Sequence, residues 1–176
     1  MKFYTSDLHF GHKNILEYEN RPFKDVDEMN RVLVENWNRK VRKNDEVYIL
    51  GDFGFVKGEE ANYLLDQLNG RKYLIRGNHD SYFLNHSKFD STKFEWVKDY
   101  ATVKDHGIRI VMFHYPLAVW DGMQHDDLHF YGHIHSNANT DHPLYYDLGP
   151  NAFNVGCDVR NYEPVTLEEL FSVFKY

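Results

Sequence analysis

The sequence predicts an α/β fold of two sheets packed face to face with helices outside. Two observations carry this: the first half alternates strand and helix periodicities as a βαβαβ run, and the second half holds mostly short strands. A third shows where function resides. The predicted strands run into clusters of Asp, His or Asn at their C-terminal ends.

In chain order, Lys2 to Ser6 is a short opening strand. From Glu28 to Val41 the apolar residues Met29, Leu33, Trp37 and Val41 recur at four-residue intervals, the stripe of an amphipathic helix. Glu46-Val47-Tyr48-Ile49-Leu50 reads as a buried strand. Glu59 to Asn69 returns to helical spacing through Ala61, Leu64, Leu65 and Leu68, with Gly70 as the stop. Tyr73-Leu74-Ile75 is the third strand. Tyr100 to Lys104 and Ile108 to Phe113 flank Asp105-His106-Gly107, a hairpin turn. Leu128 to Tyr131 and Ala152 to Val155 are further strands. Thr166-Leu167-Glu168-Glu169 is a capping box that opens a last helix through Leu170, Phe171 and Phe174. No repeat, low-complexity tract or linker divides the chain, so residues 1–176 are read as one domain.

Composition narrows the function classes. The 176 residues are 42% hydrophobic and 27% charged, with eleven His and one Cys. That length closes a core without staples. One Cys excludes an internal disulfide framework and a multi-Cys zinc site, and fits a reducing compartment. The N-terminus has no apolar h-region, and no apolar run approaches the roughly 18 residues of a membrane span. The expectation is a cytoplasmic protein with no membrane partner. A net charge of -7, from 20 Lys+Arg against 27 Asp+Glu, supplies no extensive nucleic-acid surface.

The chemistry sits in five clusters. Asp7-Leu8-His9 follows the first strand, Gly51-Asp52 the second, and Gly77-Asn78-His79-Asp80 the third. His114-Tyr115-Pro116 follows Ile108 to Phe113, and Gly132-His133-Ile134-His135 follows Leu128 to Tyr131. Ligands of α/β sheets bind beyond the carboxyl ends of the strands, so the clusters are expected to converge on one site. Asp7 and His9 share a face if their segment is extended, as do His133 and His135. Gly51 and Gly77 stand where a tight strand-to-loop turn needs them. Carboxylate, amide and imidazole donors without thiolate suit Mn, Fe, Zn or Co better than a structural zinc, or than the all-oxygen shells of Ca and Mg. The ligands are too many for one ion, which points to two.

Asp-x-His, Gly-Asp, Gly-Asn-His-Asp, a lone His after a strand and Gly-His-x-His, in this order, resemble the calcineurin-like metallophosphoesterases. The short chain is most similar to their small bacterial and phage-encoded members. The match runs from residue 7 to residue 135. It implies a metallophosphoesterase-like two-sheet β-sandwich flanked by helices, holding two divalent metal ions, manganese first. The resemblance assigns Asp7, His9, Asp52 and His135 to one ion, and Asn78, His114 and His133 to the other, with Asp52 bridging. His79 would be the general acid and Asp80 would orient its ring. The implied activity is phosphate-ester hydrolysis, and a chain with little room for a lid favours a diesterase on a small, nucleotide-like substrate. The alternatives are a phosphomonoesterase acting on phosphoprotein, and a non-catalytic scaffold that binds protein partners through its metal face.

Around this set, Arg76 is either a bidentate partner for a substrate phosphate or an end-of-strand surface charge. His12, Asn14 and Arg21 are pocket-lining residues or ordinary caps and turns. Tyr115 and Trp120 are candidate pocket walls. His129 is expected to face solvent or to be hydrogen-bonded, and Cys157 to be a buried small hydrophobe. His86, His106, His125 and His142 have no usable spacing.

Overall fold

Lys2–Thr5 (β1), Glu46–Ile49 (β2) and Arg71–Ile75 (β3) send alternate side chains into two different apolar layers, as strands buried on both faces must. Phe3, Val47, Ile49 and Leu74 face one layer; Tyr4, Tyr48, Tyr73 and Ile75 face the other. This alternation, seen in a computed structural model that describes residues 1–136 and 148–172, sets the layering of the fold. His142 and Phe174 lie outside the described residues.

The first layer is filled by helices. Val26–Lys40 (α2), which follows the short Ile15–Tyr18 (α1), buries Met29, Leu33 and Trp37, and Gly58–Gln67 (α3) buries Ala61, Leu64 and Leu65. These are the residues of the two sequence stripes. Asp25 starts α2 by accepting the Glu28 N–H (2.9 Å), and the indole N–H of Trp37 donates to the Asn69 carbonyl (2.9 Å) beside the helix-ending Gly70 at φ +87°. Ser81–Leu84 (α4) is a single turn after β3.

The second layer lies between the sheets. The first sheet is all parallel in the order β1-β2-β3-β4, where β4 is Trp96–Lys98. The second runs in the order β5-β6-β7-β8, from Tyr100–Asp105 (β5), Ile108–Phe113 (β6), Leu128–Tyr131 (β7) and Ala152–Asn154 (β8). β5 and β6 form the expected antiparallel hairpin across His106-Gly107, and the other pairs are parallel. β4 is not legible in the sequence, because a strand of three residues shows no readable period. It ends one residue before β5, so Asp99 alone carries the chain from one sheet to the other.

An aromatic ladder lines the shared face: Tyr4 on Tyr48 at 5.6 Å, Tyr48 on Tyr73 at 4.8 Å, Tyr73 against Trp96 at 5.2 Å. Phe130 of β7 meets Tyr4 edge-on at 4.7 Å and so joins the two sheets. Leu167–Ser172 (α5) closes this layer with Leu167 and Leu170, and its capping box is formed, with the Thr166 N–H on Glu169 Oε2 at 2.9 Å and the Glu169 N–H on Thr166 Oγ1 at 3.3 Å. No helix among the described residues is long and apolar enough to cross a membrane.

Phe130 is fully buried between Tyr4 and Phe153, so Phe130→Ala is expected to destabilise the protein by about 3–5 kcal/mol. Urea denaturation of the variant beside the parent protein reads this, and a loss of under about 1 kcal/mol would mean that the layer between the sheets is not a packed core.

Candidate metal centre

The C-terminal ends of β1, β2, β3, β6 and β7 meet at one edge of the two sheets, and backbone hydrogen bonds tie their loops together. The N–H of Asp7 donates to the Gly51 carbonyl (3.0 Å), that of His9 to Asp52 (3.0 Å), and that of Gly132 to His114 (2.9 Å). The His133 N–H donates across to the Asp7 carboxylate (2.9 Å to Oδ2).

These loops are not extended, which corrects the reason expected for the paired ligands. Asp7 (φ 56°), His9 (φ 52°), Asp52 (φ 53°), His133 (φ 69°) and His135 (φ 46°) all lie in the left-handed region. Each such residue costs on the order of 1 kcal/mol or more outside glycine. The i and i+2 side chains still converge, through alternate left-handed residues that coil the chain around the site. Glycine permits the close approach. Gly51 combines φ +94° with a position where a Cβ would run into His114 Nδ1. A Cβ at Gly77 would strike the Asp52 carboxylate, so Gly77 serves close packing rather than a left-handed turn.

All seven residues expected as metal ligands come together. Asp7, His9 and His135 offer ligand atoms within 4.8 Å of one another, as do Asp7, Asp52 and His114. Asp52 is central: its Oδ2 lies 3.6 Å from His114 Nε2, 3.7 Å from His9 Nε2 and 3.9 Å from His79 Nε2. Asn78 Oδ1 lies 3.0 Å from both His114 Nε2 and His133 Nδ1.

The donor set fits a cation. Both ring nitrogens of His9 are buried without a hydrogen-bond partner, a costly arrangement that a bound ion would relieve at one of them. His114 Nδ1 must donate to the Leu50 carbonyl at 2.7 Å, because that oxygen can only accept. With a neutral ring, its Nε2 would turn a lone pair toward Asn78 Oδ1 3.0 Å away, an arrangement that a cation between the two acceptors satisfies. Burial holds the His9 imidazole well below its ordinary pKa and that of His133 down to about 4. Both rings are thus neutral near pH 7, as ligands must be.

Several residues play parts the sequence did not reveal. Asp158 accepts His135 Nδ1 (2.8 Å) and both Nε and Nη2 of Arg21 (2.8 and 2.9 Å), which leaves His135 Nε2 for the site. Burial works to raise the Asp158 carboxyl, but the His135 bond and the Arg21 charge hold it below the usual range. Arg21 does not line the pocket; it is buried under the first loop, donating to the carbonyls of Asp7 (2.7 Å) and Leu8 (2.9 Å). No signal marked Asp158, which stands in no motif.

Asp80 does not orient the His79 ring. Its carboxylate accepts the N–H groups of Asp52 (3.0 Å), Phe53 (2.8 Å) and Gly77 (2.7 Å), so it shapes the loops instead, and burial pushes it up to about 6. The His79 ring packs on Phe55 at 4.7 Å. Arg76 is exposed and pairs with Asp99 at 3.5 Å, while His12 stacks on Phe55 at 4.4 Å beside the site and Asn14 is exposed. Trp120 is buried against His129, in a cleft of residues 119–125 that includes none of the expected ligands, whereas Tyr115 packs on His133 at 4.5 Å. His129 is hydrogen-bonded but not solvent-facing: it is fully buried, with Nδ1 3.2 Å from the Val111 carbonyl and Nε2 accepting the Leu117 N–H at 3.0 Å. Cys157 is buried, as expected, with its thiol on the Asp7 carbonyl at 3.1 Å.

Known proteins share these features. The family model for the calcineurin-like phosphoesterase superfamily domain matches residues 3–163. An uncharacterized protein of Methanocaldococcus jannaschii, MJ1445, is 36% identical over 167 residues, covering 93% of this chain and 85% of that protein. The gene 66 protein of Mycobacterium phage L5 is 45% identical over 80 residues, or 44% of this chain and 38% of its own length. Among solved structures, a protein of unknown function from Aquifex aeolicus, AQ665, aligns at TM-score 0.75 and 26% identity over 98% of both chains.

If Asp158 sets the direction of His135, Asp158→Ala is expected to weaken Mn²⁺ binding by roughly 10–100-fold. Calorimetric titration of metal-depleted protein reads this, and unchanged affinity in a folded variant would limit Asp158 to a structural pairing with Arg21.

Proposed function

Because this chain belongs to the calcineurin-like phosphoesterase superfamily, we propose that it is a dinuclear metal-dependent hydrolase of phosphate esters, acting as a diesterase on a small, nucleotide-like substrate. The observation that carries the reading is Asp52 Oδ2, flanked by three imidazole Nε2 atoms at 3.6–3.9 Å, with Asp7 and His135 on one side and Asn78 and His133 on the other. Asp7, His9, Asp52 and His135 would hold one ion, and Asp52, Asn78, His114 and His133 the second. Bound there, divalent ions supply Lewis acidity toward phosphoryl oxygens and an activated water near neutral pH.

The chain's own residues account for the rest of the reaction. Water attacks phosphorus, the bond from phosphorus to the leaving oxygen breaks, and that oxygen takes a proton. His79 is the donor we assign to it: its side chain is 40% exposed and its Nε2 lies 3.9 Å from Asp52 Oδ2. The His79 backbone N–H donates to Asp52 Oδ1 at 2.9 Å, so His79 and the Asp52 carboxylate keep a fixed spacing. Asp80 holds both loops by their backbones. A net charge of -7 with no basic stripe supports a small substrate over a long polyanion.

With Mn²⁺ added, a chromogenic aryl phosphate diester is expected to be hydrolysed with higher kcat/KM than the matching monoester, and Asp52→Asn to abolish both. A preference for the monoester would replace the diesterase reading with a phosphatase one, and turnover of neither would favour a scaffold. His79→Ala is expected to keep its metal and to lose roughly 10²–10⁴-fold in kcat on alkyl esters, with a far smaller loss on activated aryl esters that leave without a proton. Equal losses on both ester types would remove His79 from the acid role.

A further inference from the structure

Beside the ligands and His79 stands a group of aromatic side chains that neither the metal centre nor the core uses. The Phe55 ring lies 4.7 Å from the His79 ring, and it is nearly parallel to two others: His12 at 4.4 Å and 22°, and Tyr82 at 6.1 Å and 25°. Tyr18 meets His12 edge-on at 6.3 Å. Tyr82 and Tyr18 are 53% and 60% exposed, so large rings stand in water next to the most polar part of the molecule. Tyr82 is placed by the same turn as His79, whose carbonyl accepts the Tyr82 N–H at 3.1 Å. Phe55 is tied to the first loop through its N–H on the Phe10 carbonyl (2.8 Å).

We propose that Phe55 and Tyr82, flanked by His12 and Tyr18, form a stacking shelf for a planar heteroaromatic ring carried by the leaving group, which makes the substrate a nucleotide. The shelf borders His79, and His79 delivers its proton to the leaving oxygen, so a group resting on Phe55 belongs to the leaving side. An alkyl oxygen, with a far higher pKa than an aryl one, depends most on that acid for its departure. A ring that stacks here while its ester oxygen needs protonation is joined to that oxygen through a sugar-like alkyl carbon, the arrangement of a nucleoside. Stacking also suits bases without selecting among them, since every base has a π-face.

This inference deepens the phosphoesterase reading and rests on it, so the test is one of binding. Mn²⁺-loaded protein is titrated calorimetrically with adenosine 5′-monophosphate, phenyl phosphate and methyl phosphate. The nucleotide is expected to bind about tenfold more tightly than methyl phosphate, with phenyl phosphate weaker than the nucleotide. Phe55→Leu and Tyr82→Ala are each expected to lower nucleotide affinity by about five- to tenfold and to leave methyl phosphate unchanged. Tyr82 is exposed, so its variant keeps the test valid if the half-buried Phe55 position disturbs folding. Tyr63→Ala, on α3 and 67% exposed, serves as the neutral control. Equal affinity for nucleotide and methyl phosphate, loss of affinity for both ligands in either shelf variant, or tightest binding of phenyl phosphate would overturn the shelf and leave the phosphoesterase reading standing. Binding of none of the three would overturn both.

Discussion

Asp7 and Asp52 are buried carboxylates whose oxygens approach within 4.8 Å of each other, and the surrounding structure is organised to keep them there. Two such groups out of water repel one another, and burial pushes the Asp7 carboxyl up. The protein offsets this only in part with donors. The His133 N–H reaches both oxygens of Asp7, and the His79 N–H reaches Asp52. The remaining lone pairs, together with those of His9 and His114, point into a common volume where a cation is the natural counter-charge.

Holding that arrangement requires a rigid base, which explains the two cores. Strands that alternate between a helix layer and an aromatic inter-sheet layer are immobilised on both faces, so their C-terminal ends become fixed posts. From those posts the chain turns at once through left-handed residues, five of which carry proposed ligands. Such conformations persist only where neighbouring structure over-determines them. Here the neighbours are Asp80, bound to three backbone N–H groups, and buried Arg21, bound to the carbonyls of Asp7 and Leu8. Charged residues that look catalytic in sequence thus act mainly on the backbone.

The site is also asymmetric. His9 and His114 are sealed inside, while His79 and Asn78 face outward with Tyr115 and Tyr82 nearby. A sealed side that excludes water and an open side that solvent reaches thus differ within one site. Asp99 contributes to the same geometry from a distance. By switching the chain between sheets in one residue, it sets β6 and β7, and so His114, His133 and His135, against the ends of β1 to β3.

Much of this was legible because it is local. Residue type at a strand end, the four-residue stripe of α2, and the Thr166 capping box depend on neighbours a few positions apart, and the structure agrees with each. The seven ligand candidates, read by type and order, all meet. What the sequence could not carry is any feature whose partner is remote: Asp158 pairs with Arg21 across 137 positions and with His135 across 23. The left-handed backbone was hidden for a related reason. Non-glycine residues adopt it only under the pressure of packing and cross-loop hydrogen bonds, so no local preference announces it. The sequence by itself determined most of the elements, though not β4 or the short α1 and α4, together with their order and the chemistry at the strand ends. Only the tertiary structure decided how those ends curl inward, which carboxylate supports His135, and that Asp80 holds loops rather than a ring, because long-range contacts and not local propensity choose among those states.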